Sequence, residues 1–326
     1  MSILITGAGG MVGSHLIEEL YAAGEDVIGT YYKPTIDISE LPADIKMIEC
    51  DIRYATNIEK IIMKYQPEKI FHLAAQSYPA VSWEHPYETI DININGTIAV
   101  YEAVKLVRKV RNKSYDPIVL VACSSAEYGA TLERLGGKNI YVSETAELCP
   151  LHPYGVSKVG QDLISYQYFV NDKIRCIRAR IFNSTGTRKV NDVASDFTRR
   201  AIEAELSGIY RLKVGNIETR RAIMDQRDLI RALLLLSEKG IPGDVYNVSS
   251  EYIYQIKDII KMIEEIIGHK FEIYVDTTLL RPTNEKVIVE DISKLKTDTG
   301  WKQEIPMKQT LTDMLAYWRE KMRYNK

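Results

Sequence analysis

SILITGAGGMVGSHL, residues Ser2–Leu16, decides the fold. An apolar run, Ile3–Ile5, ends in Thr6 and Gly7. Gly7, Gly10 and Gly13 then recur as GxxGxxG, and MVGSHLIEELYAAG carries apolar residues at helical spacing up to a closing glycine. The order is strand, glycine turn, helix. Glycines let such a turn pass close to a pyrophosphate, and the helix start offers free N–H groups and the positive end of its dipole. Gly7, Gly10, Met11, Val12 and Gly13 are therefore candidates to hold a dinucleotide. The other reading of these glycines is a purely structural turn.

The same alternation continues outward. DVIGTYY, IKMIECDI, KIFHLAA, PIVLVACSS and KIRCIRARIFN read as strands. ATNIEKIIMKYQP, with a Thr cap, NINGTIAVYEAVKLVRKV, and PYGVSKVGQDLISYQYFVND, with Pro153 near its start, read as helices. This predicts an α/β protein: a Rossmann-type, doubly wound parallel sheet covered on both faces. After about Asn183 the pattern loosens into VASDFTRRAIEAEL, QRDLIRALLLLSEK, QIKDIIKMIEEIIG and MKQTLTDMLAYWREK, with short strands between them. We expect a dinucleotide-binding domain over 1–183 and a smaller mixed α/β substrate lobe over 184–326, with segments such as DVYNVSS returning to the sheet.

Composition narrows the function. The chain has 326 residues, 45% hydrophobic and 26% charged, with a formal net charge of -2. That balance offers no global positive charge for nucleic acid or an anionic membrane. No run approaches the roughly 18 apolar residues of a membrane span, and the N-terminus lacks a signal-peptide pattern. Cys50, Cys123, Cys149 and Cys176 are scattered, without a CxxC pair, and the five histidines lack metal-ligand spacing. The expectation is a cytoplasmic protein with reduced thiols and no metal.

The end of the second strand bears on the cofactor. An acid there would hold the ribose hydroxyls of NAD. This chain has Tyr31, Tyr32 and Lys33 instead. A cation without a carboxylate suits a 2'-phosphate, so NADP(H) is preferred and NAD(H) stays open; Lys33 as a merely solvated side chain is the alternative. Asp51 and Ile52 follow the third strand, where adenine would lie. Leu73, Ala74 and Ala75 end the fourth in small residues that let backbone approach the cofactor.

HPYGVSKVGQ, His152–Gln161, carries the chemistry. Tyr154 and Lys158 are four apart and share one helix face. An ammonium beside a phenol lowers the phenol's pKa from about 10, and such a phenol can exchange a proton with an alcohol oxygen. A plain surface Tyr/Lys pair is the competing reading.

Together, TGAGGMVG (Thr6–Gly13), HLAAQS (His72–Ser77), CSSAEYG (Cys123–Gly129) and YGVSK (Tyr154–Lys158) resemble the extended short-chain dehydrogenase/reductase family, through the first two-thirds of the chain and beyond. AAQSYPAVSWEHP, RARIFNSTGTRK, LKVGNIETRRAIMDQRD and LRPTNEKVIVEDISKLKTDTGWKQEIP are similar to its GDP-mannose branch of reductases and 4,6-dehydratases. The resemblance implies a GDP-linked hexose substrate. It implies Tyr154 as acid/base at the sugar C4 oxygen, Lys158 tuning it and holding the nicotinamide ribose, and Ser124 bonding the same oxygen. It implies substrate contacts by Ser77, Ser82, Ser125, Asn183, Arg188, Lys213 and Val214. Arg221 and Arg281 become diphosphate candidates, where each alone would read as a surface ion-pair residue. It also implies a homodimer, through a four-helix contact of the helices near Asn93–Arg108 and Tyr154–Val170. The other reading makes their apolar faces simply core.

The match departs in three places. A dehydratase needs a glutamate where this chain has Ala126; Glu127 stands one residue later. Ala222–Ile223 replace an Asp–aromatic pair, and NSTGTRK lacks a proline after its glycine. The expected activity is therefore C4 reduction of a GDP-4-keto-6-deoxy-mannose with NADP(H). A 4,6-dehydratase using Glu127 as base and a C4 epimerase are the enzymatic alternatives. A non-catalytic dinucleotide sensor would not need the Tyr154–Lys158 pair.

Overall fold

The structure is a computed structural model that describes residues 2–135, 141–279 and 289–324. Its frame is a seven-stranded sheet of β1 (Ser2–Thr6), β2 (Asp26–Tyr31), β3 (Lys46–Glu49), β4 (Lys69–His72), β5 (Ile118–Ser124), β6 (Cys176–Ile181) and β7 (Val245–Val248). All pairings are parallel, in the order β7-β6-β5-β4-β1-β2-β3. The order reverses at β1, and there the glycine turn leaves the sheet. Ligands of open α/β sheets bind at this switch point, beyond the carboxyl ends of the strands.

Alternation in the strands explains why both faces are covered. Ile3 and Ile5 point to one core, with Leu16 and Ile17 of α1 (Met11–Ala22); Leu4 between them points to the other. That other core is built with α2 (Ala55–Tyr65) and α3 (Gly96–Val110). The start of α2 differs from expectation: its N-cap is Tyr54, without a side-chain cap, and Thr56 lies inside the helix. Before α3 the chain makes a π-helical turn, Asp91–Asn95. Such widened turns leave backbone groups free for side-chain partners and recur at functional sites.

Helix α4 (Pro153–Asp172) covers β5 and β6 on that side. Its buried face is mostly polar: Tyr154, Ser157, Lys158, Gln161, Asp162 and Ser165. Its outward face is apolar, with Val156, Leu163, Tyr166 and Val170 all more than 40% exposed. A core-facing helix ordinarily shows the reverse pattern.

Beyond β6, the chain adds α5 (Val193–Ser207), then α6 (Gln226–Lys239), which returns to cover β5 and β6 from the opposite face. β7 then joins the sheet beside β6. Residues after 183 thus contribute both to the sheet and to a separate core formed by α5, α7 (Ile256–Ile267) and α8 (Met307–Tyr324). Ala222 and Ile223 are buried, and Ile223 packs in that core. Packing accounts for the apolar pair at this position.

Candidate active site

The glycine turn is built for close approach. A Cβ at Gly13 would stand 2.3 Å from the Gly7 carbonyl oxygen. A Cβ at Gly7 would stand 2.7 Å from the Ala74 nitrogen, and Gly7 has φ +75°. Gly10 is the N-cap of α1 and supplies no side-chain cap. The N–H groups of Met11, Val12 and Gly13 therefore lie at a helix start that side chains do not close. Thr6 Oγ1 accepts from the Ala74 amide at 3.2 Å and meets His72 Nδ1 at 2.8 Å, tying β1 to β4 beneath the turn. Leu73 packs on the core and Ala75 is half-buried. This donor set fits a dinucleotide pyrophosphate.

The adenosine end is more committed than the sequence suggests. Asp51 is buried and accepts from Arg53 Nε and Nη2; Arg53 also reaches Glu88 at 3.0 Å. The Arg53 bond holds the Asp51 carboxyl below its usual range against the opposing pull of burial. Lys33, at φ +46°, lies over the half-exposed Tyr32 ring at 5.4 Å, and the Arg53 guanidinium lies 5.6 Å from the same ring. Tyr31 is half-buried at the end of β2, and Ile52 is core, packed against Gly96.

Ser124 ends β5 and caps a 3₁₀ turn, Ser125–Glu127. Its hydroxyl accepts from the Ala126 amide at 3.2 Å and is also the hydrogen-bond partner of Tyr154. Tyr154 is 9% exposed, and Lys158 Nζ lies 5.9 Å from its ring centroid. Lys158 donates to the Ala122 carbonyl and to Gln161 Oε1, both at 2.7 Å. Ser124, Tyr154 and Lys158 thus converge at the carboxyl end of β5. The tuning differs from the expectation. Burial raises the Tyr154 phenol to about 12, against the Ser124 bond that lowers it, and burial lowers the Lys158 ammonium to about 8. Without a ligand the phenol keeps its proton.

Glu127 is not on the cleft side. It is fully buried; its Oε1 accepts from the Ser124 amide at 2.8 Å and its Oε2 from Arg180 Nε at 3.1 Å. The tight turn, rather than an extended segment, sends the side chain inward. Cys123, Glu127 and Asp162 bring ligand atoms within 4.8 Å of one another, but the Arg180 guanidinium already supplies the cation to both carboxylates.

The other expected contacts have these surroundings. Ser82 is fully buried and donates to the Pro79 carbonyl within its own short helix. Arg188 is held by Glu18 and Glu40. The Val214 side chain lies in the core of α5, α7 and α8. Ser77, Asn183 and Lys213 are exposed, and Ser125 and Arg221 half-buried. Arg281 lies outside the described residues.

The structure adds residues the sequence reading missed. Asn93, in the π turn, bonds both backbone groups of Gln76 and donates to Ser157 Oγ at 2.8 Å, joining the loop after β4 to α4. Gln161 and Asp162 sit three and four residues beyond Lys158, so their helical spacing was a usable signal.

A glycine turn at the sheet's switch point, with Ser, Tyr and Lys converging beside it, defines a dinucleotide-dependent oxidoreductase of the extended short-chain dehydrogenase/reductase class. Within that class, the chain belongs to the family described as GDP-mannose 4,6 dehydratase, which it matches over residues 4–314. It is 27% identical over 323 residues to a GDP-6-deoxy-D-mannose reductase of Pseudomonas aeruginosa, covering 98% of each chain. It is 23% identical to a GDP-mannose 4,6-dehydratase of Vibrio cholerae, covering 96% of this chain and 92% of that one. The structure of RMD from Pseudomonas aeruginosa complexed with NADPH superposes with a TM-score of 0.84 at 26% identity, covering 98% and 99% of the two chains.

Proposed function

We propose that the protein is an NADP(H)-dependent C4 oxidoreductase of a GDP-linked sugar that reduces a GDP-4-keto-6-deoxy-mannose. One observation carries the direction: Tyr154 and Ser124 converge beside the glycine turn with the phenol protonated, while Glu127 is sealed behind them. When bound, the nicotinamide supplies the hydride. Tyr154 gives its proton to the C4 oxygen, Ser124 Oγ bonds that oxygen, and Lys158 holds the cofactor ribose. An elimination across C5 and C6 needs a base at C5, and the buried, paired Glu127 is a poor one. On this reading Ser77, Ser125, Asn183 and Lys213 contact the substrate, and Arg221 and Arg281 hold its diphosphate.

The likeness to the Pseudomonas NADPH complex, together with Lys33, supports NADP(H) over NAD(H). The polar-in, apolar-out face of α4 supports a homodimer in which α3 and α4 meet their counterparts. Among the described residues no helix is long and apolar enough to cross a membrane. With four free cysteines, we place the protein in the cytoplasm.

The test is a paired incubation read by mass analysis of nucleotide sugars. One tube holds GDP-mannose with NADP+, the other GDP-4-keto-6-deoxy-mannose with NADPH. The expected result is a gain of two hydrogens in the second tube alone. Loss of water from GDP-mannose would instead make the protein a dehydratase, and an isomerised sugar without net redox would make it an epimerase.

A further inference from the structure

Behind Tyr154 and Ser124 lies a buried charge cluster of which the proposed reaction uses only Lys158. Its cations are Lys158, Arg178 and Arg180; its carboxylates are Glu127 and Asp162; all five residues are buried. The groups of the cluster come from three elements and from the residue that follows the turn of Glu127. Cys123 and Ser124 end β5, and Tyr128 follows the turn. Arg178 and Arg180 come from β6, and Tyr154, Lys158 and Asp162 from α4. Arg180 Nε bridges Glu127 Oε2 and Asp162 Oδ2 at 3.1 and 2.9 Å, and its Nη1 donates to Tyr128 OH and the Glu144 carbonyl. Asp162 also accepts from Arg178 Nη1 at 2.5 Å.

Of the two carboxylates, Glu127 is the one bonded to Ser124. Its carboxylate takes the Ser124 amide, while the Ser124 hydroxyl takes the Ala126 amide, so the two residues form a reciprocal capping box. That box fixes the orientation of the hydroxyl that bonds Tyr154. Glu127 also lies within Coulombic reach of both Tyr154 and Lys158, raising the pKa of each.

We propose that Glu127, held by Arg180 and Asp162, is a positioning residue that orients Ser124 and whose negative charge keeps the proton on Tyr154. This rests on the reading of Tyr154 as the acid. The carboxylate itself is not passive: burial and the neighbouring Asp162 push it up to about 8, so it gains its charge in the range where Tyr154 must still hold a proton. The cluster therefore protects the acid form as pH rises.

The experiment is the pH profile of kcat/KM for reduction, with two variants. E127Q keeps the length and an acceptor for the Ser124 amide but has no charge. Its alkaline limb is expected to move about one pH unit toward neutrality, with sugar KM changed less than about twofold. E127D keeps the charge but is too short for the Ser124 amide. Its limb is expected to stay in place while kcat falls about tenfold. An unmoved limb in a folded E127Q overturns the proposal. So does a limb that moves equally in E127D, the variant that decides if E127Q does not fold. The Tyr154 reading is judged separately: turnover surviving in Y154F would overturn it, whatever the Glu127 profiles show.

Discussion

Two helices cover the same strands from opposite sides. Helix α6 lays Leu229, Leu233 and Leu236 on one face of β5 and β6, in an apolar cluster. Helix α4 lays Tyr154, Lys158, Gln161 and Asp162 on the other, against Arg178 and Arg180. The strand serves both: in CIRARI, Ile177 and Ala179 face α6 while the arginines meet α4. The α6 side packs on the sheet mainly by apolar burial. The α4 side buries charge, and the proposed proton chemistry would need a phenol, a hydroxyl and an ammonium fixed at one end of β5. Its apolar surface is turned outward.

The sharpest way to separate the two sides is to remove the reacting group alone. Y154F keeps the ring and its packing but loses the proton. Turnover is expected to fall about a thousandfold or more, with NADPH affinity and thermal stability near wild type. A loss of tenfold or less, measured in single-turnover reduction, would mean another group delivers the proton.

Next comes the stability of the charge cluster. D162A leaves Arg178 and Arg180 buried without their shared partner. The expected cost is about 3–5 kcal/mol in denaturant unfolding, comparable to the roughly 2–5 kcal/mol expected for L233A on the α6 side. The two should differ in repair. Adding R178M, R180M and E127Q to D162A is expected to recover much of the loss, since buried ion pairs replaced together by uncharged residues of similar volume are often neutral. No recovery would mean that the arginines hold the 141–147 segment more than they balance Asp162.

A third variant moves to the switch point. G13A forces a methyl group to within 2.3 Å of the Gly7 carbonyl oxygen. The turn must open, at a cost of about 1–3 kcal/mol, and NADPH binding is expected to weaken by at least tenfold in fluorescence titration. Unchanged binding would show that the turn does not approach the pyrophosphate.

The same contrast explains what the sequence made legible. The glycine turn, the strand–helix alternation and the Tyr154–Lys158 spacing are local patterns, and each translates directly into backbone geometry. The span Pro153–Asp172 is the helix that the sequence suggested. The surroundings of Arg188 and Val214 could not be read from spacing. Arg188 meets Glu18 across 170 residues, and Val214 joins a core assembled from one earlier and two later helices. Glu127 was ambiguous for a subtler reason. Whether residue 127 faces the cleft depends on one 3₁₀ turn, and single turns leave little periodic signal. The polar side of α4 was hidden by the assumption that apolar means inward.

Stability against pH tests whether the polar side titrates as a unit. Burial pushes His72 down to about 3, so its contribution is present above its unfolded pKa of about 6.5 and is lost as pH falls toward 3. Glu127, raised to about 8, behaves oppositely: its contribution is full below about 4.5 and is lost as pH rises through 8. Between pH 7 and 5 the two slopes oppose. E127Q should expose the histidine slope, a loss of about 2 kcal/mol on going from pH 7 to 5, beyond any change in wild type. Parallel profiles for the two proteins would mean that His72 does not stay neutral in the fold.

The smallest effect is expected farthest from the charge cluster, at the adenosine end. Arg53 donates to Asp51 and Glu88, so its charge is largely balanced. Lys33 sits over Tyr32 at the end of β2, on an exposed surface. An exposed ion pair with a phosphate is worth about 1 kcal/mol and is screened by salt. K33A should therefore weaken NADPH binding about fivefold at low ionic strength and leave NADH within about twofold. The NADPH effect should shrink in 0.5 M salt, where the Debye length is only a few ångströms, roughly 4 Å. Equal losses for both cofactors would assign Lys33 to the ribose or the adenine. No loss for either would turn attention to Arg53, because a 2'-phosphate drawing that guanidinium away from Asp51 would give this end of the site a buried, charged partner of the same kind as the one beneath α4.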